Sequence, residues 1–282
     1  MPRIFGGVMN LKKKLRDVGF YADEWLVVQV KNLITRPNGR IKAALLTGKP
    51  GVGKTFLTKS LAKVLGGYYD YQLCHNWLTW EELTEDIHIG RVAAGVNKPG
   101  EAYLKGAVLR AAETSSEGVS VLCIDEIDKA PEKVETSLLR FLQDGVIHTQ
   151  NGVVRANLEN LIVFLTSNEK RKLHGATMRR LQRIQMIFLE PEAELKILQN
   201  KTSAPVGLIK LVIRLAWVVR GASSDAPSLQ ELENLIFDLL QSPTQYLGRI
   251  AEQWLCKDED GKEALAKAAP RLGAALAREI NK

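Results

Sequence analysis

The sequence predicts an α/β fold, a parallel sheet around a phosphate-binding loop, followed by a smaller all-helical domain. Three observations carry this. Gly48-Lys49-Pro50-Gly51-Val52-Gly53-Lys54-Thr55 fits G-x-x-x-x-G-K-[ST] at every fixed position, with an apolar run before it and a helical pattern after it. Two further apolar runs end in polar groups: Val119–Ile124 in Asp125-Glu126, and Leu161–Leu165 in Thr166-Ser167-Asn168. Strand signals then stop near residue 190, and only helical patterns follow.

Taken in order, residues 1–40 read as a lead-in and one amphipathic helix. Trp25, Val28, Val30, Leu33 and Ile34 are expected on its buried side, and it ends at the turn Pro37-Asn38-Gly39. Ala43–Leu46 is short and apolar enough for a buried strand. The helix after the loop places Phe56, Leu57, Leu61, Val64 and Leu65 at helical spacing. Gly66-Gly67 breaks that helix, and Tyr68–Cys74 reads as a second strand. Trp77, Leu78, Trp80, Leu83 and Ile87 could share a helix face, where core packing outweighs a substrate grip for the two tryptophans. A turn at Asn97-Lys98-Pro99-Gly100 precedes a helical pattern from Ala102 to Thr114.

Pro131 opens a helix carrying Val134, Leu138, Leu139 and Leu142 on one side, closed at Asp144-Gly145. Val146–Asn157 reads as a hairpin with Asn151-Gly152 at its tip, a pair that favours a type I′ turn. After a basic segment, Gln185–Leu189 is the last strand expected. Helices follow at 192–200, 205–220, 228–241 and 244–256, with an alanine-rich one at 262–280. The expected division is a nucleotide-binding domain at 1–190, a helical lid at 191–257, and a charged linker with a helix at 258–282.

Composition narrows the class. At 282 residues, 45% apolar and 25% charged, the chain is ordinary for a soluble globular protein. No apolar run is long enough to span a bilayer, and Met1-Pro2-Arg3-Ile4-Phe5 lacks the layout of a signal peptide. Cys74, Cys123 and Cys256 are scattered and odd in number, so neither a disulfide framework nor a metal site is expected, and the cytoplasm fits. The net charge of +7 favours anionic partners. Lys12-Lys13-Lys14 with Arg16 reads first as a solvated helix face, since no aromatic residues are interleaved for base stacking.

The chemistry follows from residue types. Loop glycines let backbone N–H groups converge on phosphate oxygens at a helix N-terminus. The expected ATP-binding set is Gly48, Pro50, Gly51, Val52, Gly53, Lys54, Thr55 and Phe56, with Lys54 on the β- and γ-phosphates. Mg²⁺ would be held by Thr55 and, through its water shell, by Asp125, while Glu126 would polarise the attacking water.

With these residues in view, the sequence resembles the AAA+ ATPases, and within them the MoxR-like group. The resemblance covers roughly residues 18–255. It rests on the phosphate loop, Ile124-Asp125-Glu126-Ile127-Asp128-Lys129-Ala130-Pro131, Leu138-Leu139-Arg140-Phe141-Leu142-Gln143-Asp144-Gly145, and Leu165-Thr166-Ser167-Asn168. It implies an AAA+ type core that hydrolyses ATP. Asn168 would be sensor 1, placing the water. Arg180, then Arg179, with Arg183 behind them, would be the arginine finger acting on a neighbouring subunit. Gly19 and Phe20, in Val18-Gly19-Phe20-Tyr21, would line the adenine pocket. The turn at 97–100 and the hairpin around Asn151-Gly152 would face a central ring opening.

One departure concerns the lid, where the family usually supplies an arginine to the γ-phosphate. Gln230 stands at that place, and Arg249 is the alternative. The resemblance further implies a homo-oligomer, a hexameric ring, that remodels or activates a protein client, among which von Willebrand factor A domain proteins are typical. The competing class is a nucleic-acid-associated ATPase of a restriction, defence or mobile-element system. The charge favours it mildly, and no nucleic-acid module is visible.

Overall fold

The computed structural model describes residues 7–36, 41–95 and 102–281. The chain divides into two compact units: residues up to Gly48 together with Gly53–Met186, and Lys49–Val52 together with residues from Ile187 on.

The first unit is built on a parallel sheet of β1 (Lys42–Thr47), β2 (Tyr68–Leu73), β5 (Ser120–Asp125), β8 (Leu161–Ser167) and β9 (Gln182–Gln185), in the order β2-β5-β8-β1-β9. β8 is buried at every position, and β5 and β1 at all but their last, as strands covered on both faces must be. Helices Lys54–Leu65, Ala107–Thr114 and Glu132–Asp144 turn Leu57, Leu61, Val108, Leu109, Leu138 and Phe141 inward. Because all five strands run the same way, the loops after β1, β5 and β8 emerge at one edge, where open α/β sheets bind ligands.

Several local expectations are corrected. Two helices, Gly7–Asp17 and Glu24–Ile34, occupy the start of the chain. The second is capped by the Asp23 carboxylate, which accepts the Leu26 N–H, and buries Leu26, Val27, Val30, Leu33 and Ile34. Trp25 is exposed because helical spacing puts it on the opposite face with Gln29 and Asn32, and Val28 is only partly buried. Lys12 to Lys14 and Arg16 lie on the first helix, whose Leu11 and Leu15 are fully buried.

Trp80–Leu83 is a single capped turn that buries Leu83, while Trp77 and Ile87 are exposed. Within the helical pattern expected from Ala102 to Thr114, Tyr103–Lys105 is instead β4, antiparallel to β3 (Glu85–Ile87), and Ala107–Thr114 is helix. There the backbone finds partners on a neighbouring strand, and the Gly106 N–H donates to the Thr84 carbonyl.

In the hairpin β6 (Val146–Thr149) to β7 (Gly152–Arg155), Thr149 pairs with Gly152, so Gly152 begins the return strand and the loop is Gln150-Asn151. The last strand ends at Gln185 rather than beginning there, because its partner β1 ends at Thr47, opposite it. The turns expected at 37–39 and 97–100 lie outside the described residues.

The second unit is helical: Pro191–Lys201, Val206–Ala222, Leu229–Gln241, Leu247–Leu255, Glu259–Ala268 and Leu272–Ile280. Its core includes Leu208, Val212, Leu215, Leu235 and Leu255. The final alanine-rich segment is two helices and not one, because Pro270 interrupts the helical hydrogen bonding. The first of the two begins at Glu259, because the Asp258 carboxylate caps the Gly261 N–H. Both pack into the helical core, through Leu265 and Leu276.

Inside this unit Arg220 is buried and pairs with Glu194 through both carboxylate oxygens at 2.8 and 2.9 Å. Its Nε donates to the Pro227 carbonyl, and its guanidinium lies 4.1 Å from the centre of the Phe188 ring. That carbonyl immediately precedes Ser228, which with Glu231 forms a capping box at the start of helix Leu229–Gln241. Among the described residues, no helix is long and apolar enough to cross a membrane.

Candidate nucleotide-binding site

β1 delivers the chain to the phosphate loop, and the helix from Lys54 carries it away. Gly51 and Gly53 have φ of +80° and +91°, a region that side chains with a Cβ rarely enter, so the motif's glycines are what let the loop fold back on itself. Gly53 is the N-cap of helix Lys54–Leu65 and provides no side-chain cap, which leaves the first-turn N–H groups available to an anion.

The middle of the loop, Lys49–Val52, groups with the helical unit. There Lys49 Nζ donates to the carbonyls of Arg220 at 2.8 Å and Ser223 at 3.4 Å, where helix Val206–Ala222 ends. A Cβ on Gly51 would come within 2.7 Å of the Ser228 Cβ, so no larger residue fits without a shift.

Lys54 is buried, and its Nζ donates to the Gly48 carbonyl and to Asn168 Oδ1, both at 2.7 Å. Burial lowers its pKa, and the carboxylates of Asp125, Asp128, Glu126 and Glu169 work against that shift. Asn168 stands just past the end of β8, and its Nδ2 donates to Glu126 Oε1 at 2.8 Å. One amide therefore joins the loop lysine to the acid at the end of β5. The second Glu126 oxygen, Oε2, meets Lys129 Nζ at 2.5 Å.

Asp125 is held at both oxygens. Oδ1 accepts from Thr55 Oγ1 at 2.9 Å and from Thr166 Oγ1 at 2.5 Å, and Oδ2 accepts from the Tyr71 hydroxyl at 3.0 Å. Burial and the neighbouring Asp125 charge push the Tyr71 phenol pKa well up, so Tyr71 stays a proton donor at neutral pH. Glu126 itself sits in the left-handed region at φ 54° and ψ 48°, and its N–H donates to Thr166 Oγ1 at 2.9 Å. A non-glycine residue there is strained, and such strain gathers at functional sites.

Of the expected site residues, Gly48, Lys54, Thr55, Asp125, Glu126 and Asn168 thus stand in one hydrogen-bonded network within the α/β unit. Phe20 is buried beside it: its ring lies 5.7 Å from that of the half-exposed Phe56, and a Cβ on Gly53 would touch it at 3.7 Å. Gly19, at φ +90°, makes the turn into Phe20.

The arginines stand apart from the network. Arg180 donates to the Ala176 carbonyl and to Gln143 Oε1, both at 2.9 Å, and Arg179 and Arg183 are exposed. In the helical unit, Gln230 is exposed in the first turn of its helix, with a 3.4 Å hydrogen bond to Asn234. Arg249 lines a groove of about 800 Å³ with Glu252, Glu259, Asp260 and Glu263, a predominantly acidic setting.

Sequence reasoning missed three residues of this network: Tyr71, Lys129 and Thr166. Thr166 carried a signal, being a polar residue near the end of an otherwise apolar strand. Tyr71 carried none, since its partner lies on a neighbouring strand.

Comparison with known proteins places the chain. The family described as "AAA domain (dynein-related subfamily)" matches residues 43–183, which hold the loop, both acids, Asn168 and the arginine segment. The chaperone protein ClpB of Mycoplasma genitalium is 32% identical over 142 residues, 50% of this chain and 19% of that protein. Heat shock protein 104 of Schizosaccharomyces pombe is 30% identical over 135 residues, 48% of this chain and 14% of that protein. The chain thus spans less than a fifth of these two relatives. The ATP-dependent protease ATP-binding subunit-like protein AmiB of Pseudomonas aeruginosa is 24% identical over 269 residues, 90% of this chain and 68% of that protein. The chain belongs to the AAA domain family, in its dynein-related subfamily.

Proposed function

We propose that this chain binds Mg²⁺-ATP at its phosphate loop, hydrolyses it, and acts as a MoxR-like ring motor or chaperone on a protein client. The observation that carries this reading is the network in which Asn168 joins Lys54 to Glu126 while Thr55 and Asp125 share a hydrogen bond.

The residues fit a magnesium ion. Thr55 and Asp125 offer adjacent oxygen ligands, the hard donors that Mg²⁺ takes when it also binds substrate phosphates and water. When bound, Mg²⁺ neutralises charge on the phosphate oxygens. Lys54 exchanges its present acceptors for the β- and γ-phosphates, and the glycine-freed amides hold the remaining phosphate oxygens. Glu126 accepts a proton from the attacking water, and Asn168 keeps that carboxylate aimed.

A ring supplies the remaining part. Arg180, on the α/β unit, serves as a finger toward the nucleotide of a neighbouring copy, with Arg179 as the alternative. The helical unit acts as the lid, with Gln230 or Arg249 in the sensor 2 role. A protein client, such as one with a von Willebrand factor A domain, is supported by the MoxR-like motifs and by the chaperone and heat shock names of two relatives.

Mixing two inactive variants tests the reading. Arg180→Ala should bind ATP as wild type does yet lose turnover, by as much as about 10³–10⁵ where fingers matter most. Lys54→Ala should be inactive for want of nucleotide. A mixed ring pairs an intact loop with a neighbour's intact finger, so the mixture should regain partial activity. If mixed assemblies form and no ratio restores activity, Arg180 is not the finger.

A further inference from the structure

We propose that Thr166 is a positioning residue that couples the metal-side acid, Asp125, to the water-side acid, Glu126; this rests on the nucleotide reading above. Its single hydroxyl does two things at once. It donates to Asp125 Oδ1 at 2.5 Å, and it accepts the backbone N–H of Glu126 at 2.9 Å. A hydroxyl has one proton to give and two lone pairs to receive, so both bonds form together without conflict. Thr166 is fully buried, so water cannot replace either bond.

The consequence lies in the Glu126 backbone. At φ 54° and ψ 48° it is held where a side chain with a Cβ is strained, and its N–H is tied to Thr166 while its carbonyl accepts from the Lys129 N–H at 2.8 Å. Without the hydroxyl the N–H loses its partner, and the backbone has less reason to stay left-handed. The carboxylate would then move off Asn168, two residues beyond Thr166 on the same strand end. Asp125 would keep only Thr55 at Oδ1, with Tyr71 at Oδ2. One hydroxyl thus sets both the acid that receives the metal and the acid that receives the proton.

Three variants separate this role from packing. Thr166→Val keeps the branched shape in a buried strand and removes the hydroxyl, Thr166→Ser keeps the hydroxyl and removes the methyl, and Thr166→Ala replaces the valine variant should that one not fold. The readouts are the affinity for a fluorescent ATP analogue with and without Mg²⁺, steady-state turnover, and thermal melting. Thr166→Val should bind the Mg²⁺-free analogue as wild type does, lose about tenfold of the affinity gained from Mg²⁺, and lose turnover by about tenfold or more, the scale expected for an unpaired buried donor. Thr166→Ser should stay within about threefold of wild type on both. A Thr166→Val protein with wild-type Mg²⁺ dependence and turnover overturns the proposal. So does a Thr166→Ser protein as impaired as Thr166→Val, which would make the role one of packing. A wild-type chain that binds no nucleotide overturns the parent reading instead.

Discussion

Glu126→Gln is expected to bind Mg²⁺-ATP with near wild-type affinity and to turn it over about 10²–10⁴ times more slowly, the range general-base catalysis supplies. The amide keeps the size of the carboxylate and still offers Oε1 to the Asn168 Nδ2 that now bonds it at 2.8 Å. It cannot accept a proton from water, and it loses the ion pair with Lys129. Binding should survive because Lys54, Thr55 and the loop amides are untouched. Rapid mixing followed by measurement of phosphate release separates the two effects. Unchanged turnover would remove Glu126 from the chemistry.

Lys54→Ala should abolish nucleotide binding. The buried ammonium is placed by the Gly48 carbonyl and Asn168 Oδ1, at the head of the helix where the phosphates would lie. Truncating one partner of a buried charged pair costs about 2–5 kcal/mol, and the upper end, roughly several thousandfold in affinity, is expected for a triphosphate that loses its one flexible cation. Asn168 would also lose the donor to its Oδ1, so Glu126 should be less well held. Titration with a labelled ATP analogue checks this, and near wild-type affinity would show that the site is misplaced.

Much of the fold was legible because its signals are local. The glycines, Lys54 and Thr55 lie within one loop, and β5 and β8 are continuous apolar runs whose polar ends mark a sheet edge. Where reading failed, the deciding partner was distant in sequence or set by a cap. Residues 103–105 looked helical and became a strand because Glu85–Ile87 offered it a ladder. The helix expected from 262 begins instead at Glu259 because the Asp258 carboxylate caps it there. Tyr71 reaches Asp125 across the sheet, and Thr166 reaches it from β8, contacts that no spacing along the chain encodes.

The most direct measurement is phosphate release by the purified chain with Mg²⁺-ATP over a range of protein concentrations. Turnover per subunit should rise with concentration as neighbours supply the finger, and then level off. A chain that binds Mg²⁺-ATP yet releases no phosphate at any concentration would contradict the account.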